Sequence, residues 1–303
     1  MREERSIKAV QGISSAFNFT LLIILLLLGL LGIYALWDSA SLYSNASHNH
    51  YKDYKPRIRD SRSFEDYQRA NPDVIGWLDL YGTGVDYPIV HGRDNMKYLS
   101  HAPDGKYSAS GSLYLDYRNN PNFLDFNNII FGHHMDQHMM FGDLSNFLTQ
   151  PYFAKHQYGK IYANHHWQGL DIYAVIEANA YDTSIYNPGI DGDQKREFYI
   201  QNIQSKAKYH RLENVQPADH IILMSTCQGD LTNGRIVLVA KITKNIHKDP
   251  FAQKQGIFNL FDHYGLLDEL KRCPLLVWAI LNLLCLYLIL FIYNKVHEKR
   301  RST

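Results

Sequence analysis

Cysteine is scarce: three stand in 303 residues, Cys227, Cys273 and Cys285. The last two lie at the edge of, or inside, an apolar run near the end of the chain, so Cys227 alone belongs to the body of the protein. That rules out an internal disulfide in the body and any zinc site built from paired cysteines. Charge of one sign is also missing. Lys and Arg number 31 against 30 Asp and Glu, a formal net charge of +1, so no overall field favours nucleic acid or an acidic partner. Internal repeats and low-complexity tracts are absent as well, which excludes solenoids and biased linkers.

Charge is absent altogether from two stretches. Ile13 to Trp37 and Pro274 to Tyr293 hold no Asp, Glu, Lys, Arg or His, and about 20 apolar residues suffice to cross the hydrocarbon core of a bilayer. Tyr34 and Trp37 close the first stretch, and Trp278, Phe291 and Tyr293 lie in the second; such residues favour the lipid–water boundary. The first run is longer than a signal-peptide core and no small-x-small cleavage site follows it directly, so it reads as an uncleaved anchor. Arg2, Arg5 and Lys8 precede it, while Lys295, Lys299, Arg300 and Arg301 follow the second. The positive-inside rule then places both ends in the cytoplasm and the region between outside, with Lys271 and Arg272 counting against this.

The expected organisation is a cytoplasmic N-terminus (1–12), a transmembrane helix (13–37), an extracellular stalk with a helix near Ser63–Arg69 (38–70), a catalytic domain (71–248), a juxtamembrane segment (249–273), a second transmembrane helix (274–293) and a cytoplasmic tail (294–303). Within the domain, 74–80 and 85–90 flank Gly82-Thr83-Gly84, a hairpin signal. Strand character recurs at 111–117, 127–134, 160–164, 170–181, 220–227 and 235–242. Short helices are expected at 141–148 and before His156. A longer one is expected over 191–210, with an apolar stripe of Phe198, Ile203 and Ala207. Many short strands with few helices predict a mainly β fold closed into a barrel.

Cys227 ends an apolar strand, and Arg235 opens the next one eight residues later. A thiolate is the reactive form of cysteine, and a neighbouring cation stabilises it. Arginine also donates to an oxyanion during acyl transfer. The alternatives are an inert buried thiol and a surface arginine. A cysteine nucleophile needs a partner that takes and returns a proton; Phe131-Gly132-His133-His134, at the end of another apolar strand, supplies imidazoles. A metal site is the competing use of 15 histidines. His134 and His138 have helical spacing, but Met135 stands where the metalloprotease motif needs Glu. No metal and no cofactor are expected.

Taken in order, GHH, a strand ending in STC and a strand opening with Arg resemble the sortases, transpeptidases of Gram-positive surfaces that join proteins to peptidoglycan or into pili. NPDVIGWLDL, VDYPIV, DNMKYL, GSLYLDYRN, NNIIFGHHM, MFGDLSNF and ILMSTC follow the order of the class B branch and cover most of 71–242. The resemblance implies a sortase β-barrel. It also implies Cys227 as nucleophile, His133 as acid/base, Arg235 as the group that stabilises the oxyanion and positions substrate, and Ser225 and Asn95 as pocket residues. Implied partners are secreted proteins or pilins bearing a sorting signal, with a pilin lysine or a peptidoglycan precursor as acceptor. Phe131 and Gln228 depart from the Tyr and the acidic residue usual in that branch. The second span is more familiar in pilus-assembling sortases. Two other readings stand beside this one: another Cys/His cell-wall transpeptidase, which would need an S-x-G-C motif, and a non-catalytic anchored surface protein.

Overall fold

The structure, a computed structural model, describes residues 2–57, 60–211, 215–227, 233–252 and the four residues 282, 283, 286 and 287, with Cys227 described by its backbone. Apart from those four residues, the expected second span (274–293) lies outside the described residues, as do the tail (294–303), almost all of 249–273, Gln228, Cys273 and Cys285. The chain divides into two compact units, Met1–Ser41 with Lys254–Thr303, and Leu42–Gln253.

In the first unit the apolar run is helical. Helix α1 (Arg2–Ala46) holds a stretch, Gly12–Ser39, long and apolar enough to cross a membrane, with a mean hydropathy of 2.8. It outlasts the expected 13–37 at both ends, because no proline or glycine pair interrupts the flanks.

The second unit is a barrel. Its strands are β1 (Val74–Leu80), β2 (Asp86–Val90), β3 (Leu113–Leu115), β4 (Asn127–Phe131), β5 (Tyr158–Ala163), β6 (His166–Asn179), β7 (Ala207–His210), β8 (Ile221–Cys227) and β9 (Gly234–Thr243). They pair in the order β5-β1-β2-β3-β4-β8-β9-β6-β7, and a β5–β6 pairing closes eight of them into a ring, with β7 outside it on β6. The 14-residue β6 makes closure possible. Its first part pairs with β5 and its later part with β9 and β7.

Two cores explain why β8 and β9 read as continuous apolar runs and not as alternations. Ile222, Met224, Ile236, Leu238 and Ala240 face the barrel interior. Their neighbours Ile221, Leu223, Val237 and Val239 belong to a second core with Tyr199, Ile200 and Ile203. Those last three residues come from helix α4 (Asp193–Lys206). A wall covered on both sides has no polar face to present.

The structure corrects the stripe expected on α4. Phe198 is 72% exposed and Ala207 has left the helix to open β7. Tyr199 is buried instead, donating its hydroxyl proton to the Ile185 carbonyl at 2.6 Å and accepting from Asn127 Nδ2 at 2.9 Å. Burying one aliphatic side chain stabilises by about 1.5–3 kcal/mol, well above the few tenths that separate helix propensities, so the packed face sets the helix's rotation.

The polar stretch expected to be a stalk is part of the barrel unit from Leu42 onward. Tyr51 is buried, as are Phe64 and Tyr67 of helix α2 (Arg62–Ala70). Phe64 meets Trp77 and Tyr162 edge-on, with ring centroids 6.4 and 5.1 Å apart. Lys55 reaches between Asp79 and Asp86 at 2.7 and 2.8 Å. Isolated aromatics and one lysine dock this segment without any long apolar run, so composition alone hid it.

Candidate active site

Two strand pairings assemble one end of the barrel wall. β8 and β9 are antiparallel with Cys227 directly opposite Arg235. β4 and β8 are parallel, with Phe131 opposite Ser225, and the Gly132 N–H donates to the Ser225 carbonyl at 3.1 Å. β4 ends at Phe131, so His133 lies two residues past its end, while Cys227 lies two residues beyond Ser225 at the end of β8. Side chains alternate along a strand, so positions 225 and 235 belong to the side of the wall that carries Leu223, Val237 and α4. Register thus sets Cys227 beside Arg235 and brings the chain that leads to His133 alongside the strand that leads to Cys227.

His133 is half-buried. Its carbonyl accepts from the Phe141 N–H at 2.9 Å, which pins the backbone just past β4. Burial pushes its imidazole below the usual value of 6.5, because a charged ring loses hydration there. At neutral pH the ring is therefore mainly neutral, in the form that accepts a proton. Arg235 is half-buried, and its Nη1 donates to the Gly234 carbonyl at 2.9 Å.

Ser225 is 1% exposed, and its hydroxyl lies 2.9 Å from the Tyr186 hydroxyl. The Tyr186 ring stacks on Phe131, with centroids 6.0 Å apart and planes at 25°. Phe131 in turn meets Tyr114 at 5.5 Å. Sequence reasoning did not single out Tyr186 or Tyr114. With 22 tyrosines in the chain, only the fold of the β6–α4 connection distinguishes Tyr186 from the rest.

Among the described residues, no hydrogen bond joins Asn95 to these side chains. Its Oδ1 accepts from the Tyr117 N–H at 3.0 Å, and it helps hold the Asp116 carboxyl below the usual range, after the larger contributions of Arg118. It ties the 91–99 connection to the chain leaving β3. His134 and His138 do not share a helix face either: His134 bridges to Met140, and His138 Nδ1 lies 2.5 Å from Asp143 Oδ1.

A cysteine and an arginine opposite one another, with a histidine just past the end of the adjoining strand, form an arrangement suited to acyl transfer through a thioester. No family model matches the chain, but relatives and solved structures do. Sortase B of Listeria monocytogenes is 33% identical over 192 residues, 61% of this chain and 75% of the relative. The crystal structure of sortase B from the type II pilus of Streptococcus pneumoniae is 45% identical, with a TM-score of 0.52, covering 59% of this chain and 97% of the other. A Streptococcus pyogenes class B sortase involved in pilus biogenesis is 36% identical, with a TM-score of 0.54 over 59% and 97% of the two chains. The fold and its neighbours define a sortase, a cysteine transpeptidase. Within that class, the chain belongs to the sortase B family.

Proposed function

We propose that this sortase works with Cys227 as nucleophile, His133 as acid and base, and Arg235 as the donor to the oxyanion. The observation that carries this reading is the double register: 227 opposite 235, and Phe131, two residues before His133, opposite Ser225, two residues before Cys227. His133 takes the Cys227 thiol proton, and the resulting thiolate attacks a peptide carbonyl carbon in a sorting signal, forming the C–S bond and moving the carbonyl electrons onto oxygen. Arg235 turns from the Gly234 carbonyl to that oxygen. As the oxyanion collapses, the C–N bond breaks, and the leaving amine takes its proton from His133. An acceptor amine then attacks the thioester and gives a proton back to His133, and sulfur leaves as thiolate. No cofactor enters these steps. Ser225 shapes the pocket through Tyr186, and Asn95 supports the connection that borders it.

The substrate reading is a sorting-signal peptide of a secreted protein, with a pilin lysine as acceptor ahead of a peptidoglycan precursor. Its support is the likeness, at 45% and 36% identity, to a sortase of a type II pilus and a sortase involved in pilus biogenesis, together with the second uncharged run at 274–293. The working location is a bacterial cell membrane, spanned by α1 and 274–293, with the barrel outside. Anchoring confines enzyme, substrate and acceptor to one thin layer and raises their effective concentration.

The test is to trap the acyl-enzyme. Wild-type protein incubated with candidate surface proteins and analysed by mass is expected to carry a peptide thioester on Cys227, and Cys227→Ala none. With Cys273 and Cys285 replaced by Ser, iodoacetamide is expected to label Cys227 rapidly at neutral pH and slowly in His133→Ala. Equal labelling in the two proteins would end the reading of an activated pair.

A further inference from the structure

We propose that Asp143 is a positioning residue for transpeptidation, holding the loop that follows His133 in the one shape that fixes the imidazole. The inference rests on His133 acting as acid and base. Asp143 belongs to the segment MFGDLSNF, to which the reaction steps give no role. It is 3% exposed, and a buried carboxylate persists only where donors replace its lost water. Its Oδ1 accepts from His138 Nδ1 at 2.5 Å and from Asn146 Nδ2 at 3.0 Å; its Oδ2 accepts from the Gly84 N–H at 2.7 Å. One carboxylate thus joins the 134–142 loop to the turn between β1 and β2.

The loop needs such a clamp. Gln137, His138 and Met140 have φ of 58°, 62° and 51°, a region that residues with a Cβ adopt when their surroundings impose it. Gly84 lets the loop lie down on the hairpin: a Cβ there would fall 1.8 Å from the His138 carbonyl oxygen. A second tie comes from Tyr87, whose hydroxyl accepts from the Met140 N–H at 3.1 Å while donating to the Ala46 carbonyl at 2.8 Å. The loop closes where it began, through the Phe141 N–H on the His133 carbonyl. Asp143 follows two residues later, so its anchorage is transmitted directly to the backbone that carries the imidazole.

The experiment uses the full chain, with Cys273 and Cys285 replaced by Ser, and the peptide recovered from the acyl-enzyme trap as substrate. Asp143→Ala is expected to lower kcat by about 10²-fold, the scale of a 1 Å misplacement, with KM within threefold of wild type. Asp143→Asn is expected to recover at least tenfold of that loss, since its amide keeps an acceptor for the Gly84 N–H. The limb of the pH–rate profile due to His133 moves upward toward the ordinary imidazole value in Asp143→Ala, because an opened loop admits water. A merely structural aspartate would lower the melting temperature without moving that limb. Folded Asp143→Ala with kcat within threefold of wild type, or with an unmoved limb, overturns the proposal. If Asp143→Ala does not fold, Tyr87→Phe decides: kcat lowered about tenfold supports the clamp, and a native kcat sinks it. His133→Ala separates the two ideas. Activity surviving there removes the catalytic reading itself, whereas an inactive His133→Ala beside a native Asp143→Ala removes only the positioning role.

Discussion

At position 235, the choice of arginine over lysine has a consequence for rate. The guanidinium is planar and offers several donors in a fixed fork, whereas an ammonium is a point charge on a flexible stem. In the resting protein that fork rests on the Gly234 carbonyl, a weak neutral acceptor that an oxyanion outcompetes because hydrogen bonds to charged groups are about twice as strong. Arg235→Lys keeps the charge near position 227 but loses the second donor. The expected result is a kcat lower by about 10²–10³-fold, the loss typical of a missing oxyanion donor, with a smaller change in KM. Steady-state kinetics on a sorting peptide checks this; a lysine variant running at the native rate would assign Arg235 a purely electrostatic role.

The segment between α1 and α2 belongs to the element scale. Lys55 sits between Asp79 and Asp86, Trp77 Nε1 donates to Asp86 at 2.7 Å, and Lys160 lies 3.4 Å from Asp79. Burial alone lowers the Lys55 pKa, but the two carboxylates outweigh it and raise the ammonium above its usual 10.5. A folded-state value above the unfolded one contributes stability that is complete below pH 10.5 and lost as pH climbs through the folded value. Lys55→Met leaves two half-buried carboxylates facing each other, with Lys160 beside Asp79 and the Trp77 N–H on Asp86. The expected loss is about 2–4 kcal/mol at pH 7, somewhat under the cost of breaking a fully buried pair. The alkaline decline in stability should shrink with it. Urea unfolding at pH 7 and pH 11 measures both effects.

For the whole molecule, the prediction concerns sidedness. With the native cysteines replaced by Ser, a membrane-impermeant maleimide added to intact cells is expected to label Tyr107→Cys, a site 77% exposed on the barrel. It should label Ser302→Cys only after lysis. Labelling of both in intact cells would refute the two-span arrangement.

The sequence itself determined much of this. Uncharged length marked α1, glycines flanking a turn marked the first hairpin, and the scarcity of thiols drew attention to Cys227. Those signals are local, and local chemistry survives in a linear string. Tertiary structure alone decided which tyrosine lies over Phe131, which face of α4 is buried, that residues 42–70 dock on the barrel, and that Asn95 serves Tyr117 and Asp116. Each of these depends on pairing between strands or segments far apart in the chain. A one-residue change of register would turn every such side chain to the other face, and nothing local in the sequence encodes that choice.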